Sequence, residues 1–229
     1  MAAASWAEMA RKLYSYWRSQ AAYRVRIALH VKGLAAEVVD LDLLRGDQFA
    51  PTYRALNPEM VVPTLLDEDG PPLVQSLAIL EYLDERYPRP ALLPEKLWER
   101  AYVRALAQTV ATDAHPFIVP RVRKYLERDI GLDEEMRTAW VCHWLDEGSR
   151  VLEAQLAESG RSGKFCCGDA VSIADICLVA HFASAKLFGA REVDHYPHAQ
   201  AIFETCSAME AFAVTHPLRQ AGAQATAMV

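Results

Sequence analysis

Apolar and polar positions follow two different periods along this chain, and the change of period divides it in two. As far as Tyr87, short alternating runs mix with helical ones. Residues 12–17 form the first strand signal, with Leu13, Ser15 and Trp17 on one face and Tyr14 and Tyr16 on the other. Residues 21–31 carry Val25, Ala28 and Leu29 at helical spacing, and Lys32-Gly33 supplies a stop. Residues 37–43 alternate again, and 48–56 predict a short helix ended by Asn57-Pro58. Residues 63–66 and 72–74 flank Asp67-Glu68-Asp69-Gly70 as a hairpin, and 76–87 predict an amphipathic helix closed by Pro88. The order β-α-β-α-β-β-α implies a small mixed sheet covered by helices, with a right-handed first crossover.

Beyond a proline-punctuated linker, Pro88-Arg89-Pro90 and Leu92-Leu93-Pro94, strand signals almost vanish. Residues 96–128 predict a long helix interrupted at Pro116 and Pro120. Further helices are predicted over 133–159, 172–187 and 196–214. The tail from Gln220 is Ala-rich without a stop and is expected to fray. The pattern therefore predicts an α+β domain over 12–87 and an all-α domain over 95–219. Residues 1–11 lack the basic start and apolar core of a signal peptide and read as a short extension.

Composition narrows the function classes. A chain of 229 residues that is 52% hydrophobic has ample material for core. A net charge of −6 argues against a nucleic-acid partner and confines any basic patch to a local feature. No apolar run approaches the ~18 residues of a membrane span. The five cysteines, all from Cys142 onward, match neither a disulfide framework nor a zinc set, so no metal is expected and the cytosol is the expected compartment.

Two stretches point to a binding surface. Pro63 cannot donate to a central ladder, so Val62 before it should keep its backbone groups free for a peptide that adds a strand. A dozen residues on, Gln75 and Ser76 precede a helix whose N-terminal N–H groups favour a carboxylate. One surface then offers strand pairing to a peptide backbone and an anion site for its end, dimensions that suit glutathione. Ser19, between the first strand and first helix, can donate to an anion such as a thiolate. Its bland role is that of an N-cap. The turn Arg18-Ser19-Gln20-Ala21-Ala22 holds no cysteine, which excludes protein-thiol redox chemistry there.

Arg18, Arg24 and Arg26 crowd that turn and helix, while Arg121, Arg123 and Lys124 follow Pro120. Guanidinium groups suit bidentate carboxylate binding, so a dicarboxylate ligand is expected, with Arg18 and Arg121 as its contacts; the alternative is a solvated helix face. Ser172-Ile173-Ala174-Asp175 reads as a capping box with Val171 and Ile176 as its staple. Cys166-Cys167 read as packing residues and His115 as a helix-end partner. No nucleophile-elbow motif supports a serine hydrolase.

With these residues in place, the chain from Lys12 to Arg219 resembles the zeta class of glutathione transferases, the group of maleylacetoacetate isomerases. The resemblance rests on Tyr14-Ser15-Tyr16-Trp17-Arg18-Ser19, Arg24-Val25-Arg26-Ile27-Ala28-Leu29, Ala55-Leu56-Asn57-Pro58 and Gln75-Ser76-Leu77-Ala78-Ile79. It implies a thioredoxin-like N-terminal domain, an all-helical C-terminal domain, a homodimer and a cis bond at Pro63. It further implies glutathione as coenzyme, held by Ser19, Gln20, Gln48, Val62, Pro63, Gln75 and Ser76. Ser19 would activate the thiolate for cis–trans isomerisation of maleylacetoacetate, as in aromatic amino-acid catabolism. Maleylpyruvate, small α-haloacids or a glutathione-binding module without turnover are the alternatives. The chain departs from the family pattern at Gln20-Ala21, where a second serine and a cysteine or alanine are usual. It departs again at Ile118-Val119-Pro120, where relatives carry amides before the arginine that here is Arg121. The apolar trio is expected to line the substrate pocket and tilt selectivity towards apolar substrates.

Overall fold

Strand β1 (Arg11–Ser15) forms where Leu13 alternates with Tyr14, and it becomes the middle of a four-stranded sheet of order β2-β1-β3-β4. These elements belong to a computed structural model that describes residues 11–68, 70–190 and 195–226. Most of the expected N-terminal extension, Asp69 of the expected hairpin turn and the last residues of the tail lie outside the described residues. β2 (Glu37–Asp40) runs parallel to β1, pairing Leu13 with Val38, whereas β3 (Thr64–Asp67) runs antiparallel and pairs Leu13 with Leu65. β4 (Leu73–Val74) closes the hairpin on β3.

The contacts divide the chain into two units: the described residues up to Pro90 together with those from Val214 on, and Ala91–Ala213. Residues 214–219, grouped by the pattern with the helical domain, make their contacts in the first unit instead. The reason is Arg26, whose Nε donates to the Thr215 carbonyl at 3.3 Å.

In the first unit, α1 (Gln20–Val31) and α3 (Ser76–Arg86) pack together, with Leu13, Leu65, Ile79, Leu80 and Leu83 fully buried. Tyr14 points the other way, its ring 5.3 Å from that of Tyr53 on α2 (Pro51–Leu56). The period-two strand thus feeds both layers. Pro51 splits the helix expected over 48–56 into a 3-10 turn (Asp47–Phe49) and α2. β2 stops three residues short of its expected end, because Asp42 turns the chain by accepting from the Leu44 and Arg45 N–H groups. The tail, expected to fray, is helical over α10 (Ala221–Thr226), and packing accounts for it. A Cβ on Gly222 would lie only 2.7 Å from Asp40 Oδ2 and 2.8 Å from Trp17.

Apart from an isolated bridge between Ser162 and Gly168, the regular elements described in the second unit are helices. α4 (Leu97–Ala111) ends before the 3-10 turn at Pro116, α5 (Pro120–Arg128) opens on a proline, and α6 (Glu134–Ser159) is capped by Asp133. α7 (Ile173–Phe188) is buried on every side as far as Ala185. Gly148 lets α6 approach it, since a Cβ there would meet Ala114 at 2.7 Å and His181 at 3.0 Å. The helix expected over 196–214 is two, α8 (Pro197–Ser207) and α9 (Glu210–Val214). A turn at Ala208-Met209, bonded from Met209 N–H to Cys206 O, breaks it without a proline or glycine to announce the break.

Candidate active site

Four of the residues expected to bind glutathione are tied to the first two turns of α1. Ser19 caps that helix: its Oγ accepts the Ala22 N–H at 3.2 Å, and its own N–H donates to Tyr16 O at 3.0 Å. As acceptor only, the hydroxyl keeps its proton available for an anion at the helix N-terminus, so capping and thiolate donation are compatible. Ala22 packs in one apolar cluster with Tyr16, Leu43, Tyr53 and Val62. Gln48 joins through Leu43, whose carbonyl its Nε2 approaches at 3.4 Å, while its buried Oε1 has no partner.

Val62 precedes a cis peptide bond to Pro63 and lies outside the ladder, which begins at Thr64, so its backbone polar groups face no strand partner. The segment before it is braced from α2. Tyr53 Oη donates to Val61 O at 2.5 Å, and Asn57 Nδ2 donates to the same carbonyl at 2.8 Å. Asn57 also donates to Thr64 Oγ1 at 3.2 Å. Burial pushes the Tyr53 hydroxyl pKa up, which keeps it a donor. The sequence reading missed this brace, although Asn57-Pro58 marked the place.

Ser76 opens α3 with no side-chain cap ahead of it, leaving the helix N-terminal donors open. Its Oγ accepts from Arg24 Nη1 at 3.1 Å, again leaving its own proton uncommitted. Arg24 is only 1% exposed, which overturns the solvated-face alternative for that arginine. Its signal was a charge at a helix position flanked by Tyr23 and Val25, both buried. Beneath an open helix start, it adds positive charge where a carboxylate would dock. Gln75 is held at φ +66°, a region that side chains avoid, and its Nε2 donates to Glu59 Oε2 at 2.9 Å. Such strain persists only where the surroundings over-determine it, and it clusters at functional sites.

The remaining expected residues fare differently. Gln20 is buried with neither amide atom partnered. Arg18 is half-buried in the loop after β1, and Arg121 is exposed on the first turn of α5. Arg26, a fellow member of the expected basic cluster, is buried and clasps the loop ahead of Ser19, donating to Ser15 Oγ, Tyr16 O and Trp17 O. Ile118 corrects the pocket expectation: it is 5% exposed and packs with Val141, Leu145 and Ala185 in the helical core. Val119 and Pro120 are the N-cap and first residue of α5. The capping box is present, with Asp175 Oδ2 accepting from Ser172 N–H and O–H at 2.8 and 2.7 Å. Of the two cysteines expected to be packing residues, Cys166 is buried, as are Cys177 and Cys206, whereas Cys167 is half-buried; burial raises the thiol pKa of Cys166, Cys167 and Cys206. Among the described residues, no group of three or more His, Cys, Asp or Glu could hold a metal, and no helix could cross a membrane.

A mixed sheet with an open helix start and a cis-proline loop, followed by an all-helical unit, defines a class. The chain belongs to the glutathione S-transferase family, zeta class, with a thioredoxin-like N-terminal domain. The family's N-terminal domain model matches residues 13–91 and its C-terminal domain model residues 145–210. A probable maleylacetoacetate isomerase of Vibrio cholerae is 42% identical over 91% of this chain and 96% of its own length. A maleylpyruvate isomerase of a Ralstonia species is 38% identical over 91% of this chain and 98% of its own. The crystal structure of maleylacetoacetate isomerase from Methylobacterium extorquens AM1, with bound malonate and glutathione, aligns with a TM-score of 0.90. It is 48% identical and covers 93% of this chain and 99% of that one.

Proposed function

We propose that this chain is a glutathione-dependent cis–trans isomerase of maleylacetoacetate, acting in the cytosol as a homodimer. The observation that carries the reading is the way α1 gathers Ser19, the Val62 loop and, through Arg24, the Ser76 helix start into one unit. These residues fit glutathione. Val62 has backbone groups open to a peptide beside Pro63, Gln48 has an orphaned carbonyl oxygen, and Gln75 and Ser76 stand at an uncapped helix.

Bound glutathione would supply the thiolate that adds to the activated cis double bond and leaves once the carbon skeleton has rotated. The chain's own part is orientation and charge. Ser76, backed by Arg24 and the α3 dipole, holds the γ-glutamyl carboxylate. Val62 pairs with the peptide, while Gln48 and Gln20 contribute amide contacts. The Ser19 hydroxyl donates towards sulfur, favouring the ionised thiol at neutral pH. Arg18 and Arg121 hold the substrate carboxylates. Malonate and glutathione in the Methylobacterium relative support a dicarboxylate beside the coenzyme. With Ile118 in the helical core, selectivity for apolar substrates is no longer expected from it.

A second reading has one observation in its favour: Gln20, next to Ser19, buries an unpartnered amide. It gives a transferase on maleylpyruvate or small α-haloacids, or a glutathione-binding module without turnover. A coupled assay on maleylacetoacetate with and without glutathione separates them. Turnover that requires glutathone but does not consume it supports the isomerase. Glutathione binding by calorimetry with no turnover leaves only the module. Arg121→Ala should raise KM for the dicarboxylate and leave glutathione affinity intact; equal losses on charged and uncharged electrophiles would remove Arg121 from its role. Sedimentation equilibrium tests the dimer.

A further inference from the structure

Ser19, the N-cap of α1, and Arg26 lie two turns apart on one face of that helix, ~10 Å along its axis. Side chains of a helix slant towards its N-terminus, so the Arg26 guanidinium reaches back to the loop that delivers Ser19. Its bonds follow the slant. Nη1 donates to Ser15 Oγ at 2.8 Å and to Tyr16 O at 3.3 Å, and Nη2 donates to Trp17 O at 3.2 Å. Tyr16 O also accepts the Ser19 N–H at 3.0 Å. One carbonyl therefore joins the guanidinium to the backbone of the serine that the proposed mechanism aims at sulfur.

The fourth bond brings in a distant segment. Arg26 Nε donates at 3.3 Å to the carbonyl of Thr215, 189 residues further along the chain. α10 then packs on the same loop, since a Cβ on Gly222 would lie 2.8 Å from the Trp17 ring. Such a clasp is costly to build. The guanidinium is 4% exposed, and its charge is offset by these dipoles, by the Tyr23 ring 5.4 Å away and by the charge of Asp40. Burial pulls its pKa down to about 10, which still leaves a cation at neutral pH. That charge also helps to lower the pKa of His216. An arginine fork presents five donors in fixed directions, and acceptors from two distant segments occupy four of them. Geometry, more than charge, is what only arginine supplies here.

We infer that Arg26 is a positioning residue for the thiolate: its fork locks residues 15–17 and the segment after Val214 into one clasp that fixes where the Ser19 hydroxyl points. The inference rests on the proposed role of Ser19 and adds a residue that touches neither glutathione nor substrate. It also makes the segment from Thr215 to α10 part of the active-site scaffold, although that segment holds no proposed ligand.

Arg26→Lys keeps the buried charge and removes the fork, so it tests geometry apart from charge. The thiol pKa of bound glutathione, read from thiolate absorbance, should rise. Turnover, as kcat, should fall by about 10²-fold, the loss that a misplacement of about 1 Å brings. Affinity for S-methylglutathione, which has no thiol to ionise, should stay unchanged and show that the variant folds. The same readings in Ser19→Ala and in the double variant decide the route. Because Arg26 acts through Ser19, Arg26→Lys should add nothing once the hydroxyl is gone. Losses that add in the double variant would overturn the positioning role. So would an unchanged thiol pKa in Arg26→Lys beside a raised one in Ser19→Ala. An unchanged pKa in Ser19→Ala would sink the reading of Ser19 and this inference with it. Gly222→Val reaches the clasp without disturbing a buried charge, because its side chain would push α10 off Trp17. It should raise the bound-thiol pKa when Ser19 is present and not when Ser19 is absent. No shift in Gly222→Val would overturn the clasp.

Discussion

Helices α1 and α7 are both buried on nearly every side, yet they spend their polar groups in opposite ways. In α7, Asp175 accepts from Ser172 and from the Cys166 N–H at 2.8 Å, and His181 shares its Nε2 with Ser149 and Leu145 O at 3.0 Å. Burial raises the Asp175 carboxyl pKa while its bonds to Cys166 and Ser172 pull it back. These bonds close on the helix's own cap and neighbours, which is the economy of a structural core. In α1, Arg24 and Arg26 reach outward to the start of α3 and to the loop ahead of Ser19. Ser19 and Ser76 accept bonds and keep their protons uncommitted. Buried polarity that closes on itself stabilises a fold; buried polarity that ends in open donors prepares a site.

The comparison can be broken by removing one open donor and one closed acceptor. Ser19→Ala should lower kcat by about 10²–10³-fold, the loss typical of a donor aimed at developing negative charge. Glutathione affinity should change little. Titration of thiolate absorbance checks the cause, since an unchanged bound-thiol pKa would reduce Ser19 to a cap. Asp175→Ala orphans the buried Ser172 and Cys166 donors and should cost stability by ~3 kcal/mol, at the upper end for an unsatisfied buried group. Urea unfolding measures that loss, with glutathione affinity expected to persist while the protein is folded.

Ser76→Ala should weaken glutathione by ~1–3 kcal/mol, the scale of a bond to a charged group. An unaffected dissociation constant would move the γ-glutamyl carboxylate away from α3. Gln75→Gly sharpens the contrast further. It relieves a positive φ and should stabilise the fold by about 1 kcal/mol while weakening glutathione. A destabilised variant would mean that the Glu59 bond outweighs the strain.

The smallest effect concerns pH. Burial, with Arg219 and Arg26 adding to it, lowers the His216 pKa, so folded His216 resists protonation more than the unfolded residue does. Its contribution is complete above the unfolded pKa of about 6.5 and is lost as pH falls from there through the lower folded value. Melting temperatures between pH 7 and pH 5 should therefore fall more steeply in the wild type than in His216→Gln. Parallel slopes would clear His216 of the effect.

Local periodicity and breakers were enough to predict the sheet-forming order, the Ser76 and Ser172 helix starts and the places of Ser19 and Val62. Each depends on neighbours a few residues away. They were not enough to end β2 at Asp40, to break the helix at Ala208-Met209, or to seat Ile118 in the helical core. Those outcomes were decided by side-chain turns and by packing against residues distant in the chain. The fate of the arginines shows the limit most clearly. Arg18, Arg24, Arg26 and Arg121 look alike in sequence, and a charge flanked by apolar residues reads equally well as a solvated face. Only the tertiary structure buried Arg24 under Ser76 and Arg26 under the loop ahead of Ser19, because only there do the hydroxyls and carbonyls that offset a buried guanidinium come within bonding distance.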